Sequence, residues 1–242
     1  DFGTLYAGWA KFQFQGEAGM EITIKYAPLL REDGFLKEIP GGRSRDIYIL
    51  KGDPKGEAYE PRFTFHPVRY VQIDNYPGNL TQQDVIGRMA YNAVDMTGGF
   101  DCSNDLLNRI HANVRQTIKN ELYGIQMDCI NTEHWGWLEP GSTPGTLYPR
   151  IYMPLFWKKY LDEAKYAQHA DGVIPDIIPN YPPKNRHTGD PAWAGNYSIA
   201  VWYVYQYYED KRILEEHYPS MKLWLENLIE KADGFILKYG YY

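Results

Sequence analysis

Cysteine is scarce in this chain, with two residues, Cys102 and Cys129, among 242. That excludes a disulfide-dense framework. The two could pair, but two buried thiols near a helix start and a loop are the expectation. No apolar run approaches the ~20 residues that a membrane-spanning helix needs. His-Glu-x-x-His, paired Cys-x-x-Cys and calcium-loop spacings are missing, so no metal or other cofactor is expected. Ser-centred and Cys-centred nucleophile motifs are also missing, as are phosphate loops and dinucleotide fingerprints. Positive charge is in deficit: 25 Lys and Arg stand against 31 Asp and Glu, a net charge of −6. This argues against nucleic acid or an anionic membrane as a partner and leaves neutral glycans open. There is no signal peptide and no initiator Met. The opening Asp1-Phe2-Gly3 reads as the interior of a larger protein, so a fragment is expected.

What is present is globular. Hydrophobic residues make up 44% and charged residues 23%, which rules out a disordered chain and suits one large or two ordinary domains. Aromatics reach 16%, with 22 Tyr and 7 Trp. Such content serves core packing and also suits sugar rings.

The first 75 residues read as strands. Phe12 and Phe14 alternate with Lys11, Gln13 and Gln15; after the turn Gly16-Glu17-Ala18-Gly19, Ile22, Ile24 and Tyr26 alternate with Thr23 and Lys25. The pattern predicts a hairpin with one buried face. Residues 31–46 read as a loop, and 47–50 as a short strand ended by Gly52-Asp53-Pro54. Phe63 and Phe65 alternate until Pro67, where a bulge or edge is expected, and Val68, Tyr70 and Ile73 resume the strand. His66 reads as a structural histidine. Turn-rich spacing of this kind favours an antiparallel sandwich.

Residues 76–100 form a connector with one more strand near 84–95. A helical period follows. Ser103 or Asn104 can cap a helix whose face holds Leu107, Ile110, Val114, Ile118 and Leu122. A second helix is expected over 147–168, with Ile151, Leu155, Tyr160 and Leu161 toward a core. Residues 171–193 then form a long proline-rich loop, ordered by Ile174, Ile177, Ile178 and Tyr181. A third helix near 197–208 is apolar around most of its surface and predicts deep burial. Asp210 starts a short helix, and Pro219 suits the first turn of the next, with Met221, Trp224, Leu225, Leu228 and Ile229. Two expected domains result, 1–98 and 99–242.

Between the first two helices lies the stretch 128–140, Asp128-Cys129-Ile130-Asn131-Thr132-Glu133-His134-Trp135-Gly136-Trp137-Leu138-Glu139-Pro140. It concentrates three carboxylates, a histidine and two tryptophans without a helical or strand period. A carboxyl set against an indole has its charged form disfavoured and can donate a proton near neutral pH. Aromatic faces stack on the apolar side of sugar rings while carboxylates accept their hydroxyls. Glu133 therefore reads as a general acid in a carbohydrate site. The same residue types also make an ordinary surface loop with packed tryptophans.

The stretch resembles the Asp-Cys-Pro-x-Arg-Glu-x-x-Gly-Trp motif of family 78 glycoside hydrolases, the α-L-rhamnosidases, with Asp128, Cys129, Glu133, Gly136 and Trp137 matching. Further pieces match in order. They are Asp1-Phe2-Gly3 with Ala7-Gly8-Trp9, Tyr59 to His66 with Arg69-Tyr70-Val71, Phe100 to Asn104, Gly172-Val173-Ile174-Pro175-Asp176, and Asp190-Pro191-Ala192-Trp193. The resemblance implies a β-sandwich followed by the N-terminal part of an (α/α)6 barrel, about two helix pairs of six. It implies an inverting hydrolase that cleaves terminal α-L-rhamnose from glycosides or polysaccharides. Glu133 would be the acid, and the base would lie beyond residue 242. Asp128, Trp137, Asp190 and Trp193 would hold the sugar. A secreted or periplasmic setting is implied, with a cytosolic one left open, and the barrel would be completed by more of the same polypeptide or by another chain.

Two positions depart from the motif. Thr132 stands where the family has Arg, and Pro140 where it often has an acid. They keep two rivals in view, a non-catalytic carbohydrate-binding relative and a related barrel hydrolase for another sugar. Asp128 could instead cap loop amides, Trp137 and Trp193 could simply pack, and Asp176 could serve the rim of the site but reads first as a turn former.

Overall fold

The computed structural model describes residues 1–37, 39, 44–138, 151–180, 189–234 and 236–237. Its contacts divide into two compact units. The first comprises 1–91, 119–123 and 129–134; the second comprises 92–118, 124–128 and 135–242.

Among the described residues the first unit holds seven antiparallel strands: β1 (Tyr6–Phe14), β2 (Glu21–Ala27), β3 (Arg45–Ile49), β4 (Glu57–Tyr59), β5 (His66–Val68), β6 (Tyr70–Asp74) and β7 (Val85–Met89). Phe12 pairs with both Tyr59 and Val85, and Gly8 with both His66 and Met89. Strands β4 and β5 therefore share one flank of β1, and β7 takes the other. The second sheet runs β3-β2-β6. Phe12 and Phe14 from one sheet meet Ile22, Ile24 and Tyr26 from the other in a single core with Leu50 and Val68. This is the sandwich that the alternating pattern predicts.

The predicted hairpin is not formed. β1 and β2 lie in different sheets, so residues 15–20 cross the sandwich instead of turning within one sheet. Alternation identifies a buried face but does not name the strand's neighbour. A second crossing follows Pro67. β5 pairs with β1 and β6 with β2, with Arg69 alone between them. Pro67 sits on the flank of β1, where its missing N–H is tolerated.

Polar groups in this unit are closely paired. His66 Nε2 lies 3.0 Å from Asp46 Oδ1, the Tyr26 hydroxyl donates to Asp46 Oδ2 at 2.9 Å, and the Tyr26 and His66 rings stack at 4.2 Å. His66 is structural, as its place in a strand predicts. Glu57, 4% exposed, accepts from the Tyr48 hydroxyl at 2.6 Å and from the Lys51 and Gly52 amides at 3.1 Å each. Burial alone would raise its pKa, but these donors outweigh it and hold the carboxyl below its ordinary value.

Among the described residues the α-helices are α1 (Asp105–Glu121), α2 (Pro154–Ala167), α3 (Asn196–Tyr208) and α4 (Lys211–Lys231). In the second unit, a short ladder pairs β8 (Asp95–Met96) with β9 (Ile151–Tyr152). Asn104 caps α1, its Oδ1 accepting from the Leu106 amide at 2.9 Å and the Leu107 amide at 3.3 Å. Of the expected apolar stripe, Ile118 and Leu122 are buried, whereas Leu107, Ile110 and Val114 are exposed. Helical period names a face, but tertiary partners decide whether it is covered.

Helix α2 begins later than predicted. Ile151 lies in β9, and Pro154 occupies the first turn, where its missing N–H costs nothing. Phe156, Trp157, Tyr160, Leu161 and Ala164 face inward, and Leu155 points to solvent at 81% exposure. Helix α3 buries Tyr197, Ala200, Val201 and Val204 but leaves Ile199, Trp202 and Tyr207 exposed, so it is one-sided and not buried all round. The two helices expected after Asp210 are one: Asp210 caps α4 through the Arg212 amide, and Pro219 lies inside it. Leu225 and Ile229 are exposed there, while Ile213, His217, Ser220, Trp224 and Asn227 form the buried face.

Helices α2, α3 and α4 pack on one another. At their junction the Tyr197 hydroxyl lies 2.7 Å from His217 Nδ1. His217 is fully buried, and burial lowers its pKa to about 4. Nearby, Gln168 Nε2 donates to the Gly172 and Ser220 carbonyls, and the Ser220 hydroxyl donates to Gln168 Oε1. Among the described residues, no helix is long and apolar enough to cross a membrane.

Candidate active site

After α1 the chain makes a closed loop from Asp128 to Trp135. The Asp128 amide donates to the Trp135 carbonyl at 2.8 Å, and the Trp135 amide donates back to Asp128 Oδ1 at 2.9 Å. Asp128 is half-buried and serves the loop amide foreseen as its alternative role. Residues 129–134 belong to the first unit. Within them Cys129 Sγ lies 3.3 Å from Thr132 Oγ1, and a His134 ring nitrogen lies 2.9 Å from the Ile130 carbonyl. The His134 backbone is left-handed at φ 60°, and its ring packs 4.6 Å from Phe65. Glu133 sits in this turn with its side chain exposed. Both cysteines are free thiols, as expected, but each is half-buried and not buried.

In the second unit the chain continues as a short extended segment. Trp137 bridges Ile177, the Leu138 amide donates to the Asp176 carbonyl at 2.7 Å, and the Ile178 amide donates to the Gly136 carbonyl at 2.8 Å. Gly136 is required here, because a Cβ would collide with the Ile178 carbonyl oxygen. Trp137 is thereby fixed beside the loop 173–178. Glu139, Pro140 and Tyr181 lie outside the described residues.

The same loop holds the next motif. Asp176 Oδ1 accepts from the Asp190 amide at 2.9 Å. Asp190 in turn accepts the Ala192 amide on Oδ1 at 2.7 Å, and its carbonyl receives the Trp193 and Ala194 amides. The turn delivers Trp193 to Trp137, with ring centroids 6.2 Å apart and planes at 64°. Both indoles are partly exposed, and Asp190 is 7% exposed. Trp137, Asp190 and Trp193 thus converge within one unit. Two partly open aromatic rings beside a carboxylate can hold a sugar's apolar face and its hydroxyls.

Asp176 is the residue that sequence reasoning undervalued. Expected as a turn former, it is fully buried, and burial, reinforced by the neighbouring Asp190 charge, pushes its carboxyl up to about 6. The signal was an acid inside the apolar run Val173-Ile174-Pro175-Asp176-Ile177-Ile178, since a buried acid needs partners.

Comparison with known proteins places this arrangement. Residues 1–91 match the bacterial alpha-L-rhamnosidase concanavalin-like domain, and residues 95–240 match the bacterial alpha-L-rhamnosidase 6 hairpin glycosidase domain. The chain belongs to the bacterial α-L-rhamnosidase family. An alpha-L-rhamnosidase of Streptomyces avermitilis is 29% identical over 241 residues, 98% of this chain and 23% of that protein. The solved alpha-L-rhamnosidase of Dictyoglumus thermophilum superposes with a TM-score of 0.91 at 39% identity, covering 99% of this chain and 27% of that one. The Streptomyces avermitilis enzyme, solved in complex with L-rhamnose, gives a TM-score of 0.89 at 28% identity, covering 96% of this chain and 22% of its own. The chain therefore spans about a quarter of the length of these relatives.

Proposed function

We propose that this chain is part of an inverting α-L-rhamnosidase that removes terminal α-L-rhamnose from glycosides or polysaccharides. The convergence of Trp137, Asp190 and Trp193 on the loop of Asp176 carries the reading, because it gives the family resemblance a site that can receive a sugar. Glu133 is assigned as the acid that protonates the departing glycosidic oxygen. Asp128 joins the tryptophans and Asp190 as a sugar ligand. Inversion needs a second carboxylate to activate water on the opposite face of the ring. The reading places that base in the remainder of the barrel, with 1–98 as the sandwich and its connector and 99–242 as the barrel's opening part.

Thr132 favours a second reading. A guanidinium, which could grip sugar hydroxyls, is replaced by a hydroxyl 3.3 Å from Cys129 Sγ. A carbohydrate-binding relative without catalysis would fit that loss. Hydrolysis of an aryl α-L-rhamnoside by the full-length protein, followed by NMR of the released anomer, decides between them. Release of β-L-rhamnose first supports the inverting hydrolase. Saturable rhamnoside binding without release supports the binding protein, and neither result with rhamnosides overturns the rhamnose assignment.

A further inference from the structure

Asp176 ties together two segments that are far apart in sequence. Its carbonyl accepts from Leu138, next to Trp137, and its Oδ1 accepts from the Asp190 amide, three residues before Trp193. One residue therefore fixes both tryptophans, the first through its backbone and the second through its side chain.

The surroundings of that side chain are unusual. Residues 173–178 are all buried, and Asp176 is 0% exposed. Among the described residues its Oδ2 has no hydrogen-bond partner. Among the described residues the charged group that faces it is Asp190, a like charge, and the favourable partners are the Gly189 and Asp190 amides. Among the described residues no Lys, Arg or His forms an ion pair with it. An ionised carboxylate here would keep one oxygen desolvated and unpaired beside another carboxylate, which is costly. The neutral acid avoids that cost and still accepts the Asp190 amide.

We propose that Asp176 is a positioning residue of the sugar site, one that in its neutral form holds Asp190 and Trp193 against Trp137 and on ionising loosens that hold. The proposal rests on the rhamnosidase reading for the identity of the sugar, but the device itself lies in the protein alone. The carboxyl's displacement to about 6, caused first by burial and then by the Asp190 charge, brings the change close to neutral pH. The ordered site belongs to the acid side of that value.

The test uses the full-length protein and two readouts. Near-UV circular dichroism between about pH 5 and about pH 7.5 reports the Trp137–Trp193 arrangement without ligand. Wild type is expected to show a step near pH 6, and Asp176→Asn, neutral throughout, is expected to show none. Calorimetry with L-rhamnose gives the second readout. Wild-type affinity is expected to fall several-fold across the same interval, and Asp176→Asn to bind uniformly. Asp176→Ala, which removes the acceptor for the Asp190 amide, is expected to bind about tenfold more weakly at every pH. In turnover, the step belongs to KM and not to kcat. A wild-type titration with no dichroism step overturns the proposal without any variant, and so does a step that persists in Asp176→Asn. If rhamnose binds neither protein while the dichroism step appears and vanishes as expected, the rhamnose reading fails and the positioning role of Asp176 stands.

Discussion

Trp137 and Trp193 meet edge to face at 6.2 Å, one delivered by the bridge to Ile177 and the other by the turn at Asp190. Neither segment reaches that position by its own local structure. The contact depends on backbone bonds at Gly136 and on the carboxyl of Asp176.

Gly136→Ala follows directly. The added methyl meets the Ile178 carbonyl, so the bridge must open and Trp137 must shift. A stability loss of about 1–3 kcal/mol is expected, as for overpacked sites. Urea unfolding of the full-length protein measures the loss, and L-rhamnose affinity should drop with it. Unchanged affinity would show that the bridge does not set the sugar site.

His217 predicts an acid-labile helical core. Its pKa falls from 6.5 to about 4 on folding because burial opposes the charge, so the folded state binds fewer protons than the unfolded one. Stability from this group is complete above pH ~6.5 and is lost as pH falls toward about 4, on the order of 3 kcal/mol. Thermal denaturation over that interval should show a shallower loss for His217→Gln, which keeps an acceptor for the Tyr197 hydroxyl. Parallel slopes would contradict the assignment.

Glu57 predicts the same kind of loss at lower pH, with opposite chemistry. Its carboxyl is held below its ordinary value, so its contribution is present above pH ~4.5 and disappears as the acid takes up a proton. Glu57→Ala leaves the Tyr48 hydroxyl and two amides without their acceptor and should cost about 2 kcal/mol in urea. A neutral effect would mean that water replaces the carboxylate at no cost.

Much of the sandwich was legible because strand alternation marks a buried face directly. Phe12, Phe14, Ile22 and Ile24 were marked as one-faced strands, and all four are core. What alternation cannot encode is which strand lies alongside, so the crossing from β1 to β2 was read as a hairpin. Of two helix prolines, one carried no reading and the other misled. Pro154 starts α2, after a strand where a helix was expected, and Pro219 was read as a helix start but lies inside α4. At the site, the tryptophans and Asp190 were named from the motif. Asp176 was read first as a turn former because an acid after proline ordinarily marks a turn, and its burial depends on partners remote in sequence.

The central claim is that Glu133 is the proton donor of a rhamnosidase. Its most direct test compares full-length wild type with Glu133→Gln on two α-L-rhamnosides, one with a good aryl leaving group and one with an alkyl leaving group. The account predicts that kcat/KM on the alkyl glycoside falls about 10²–10⁴-fold while the aryl glycoside, which needs little protonation, loses far less, with the fold intact. Equal turnover of both substrates by wild type and variant would contradict it.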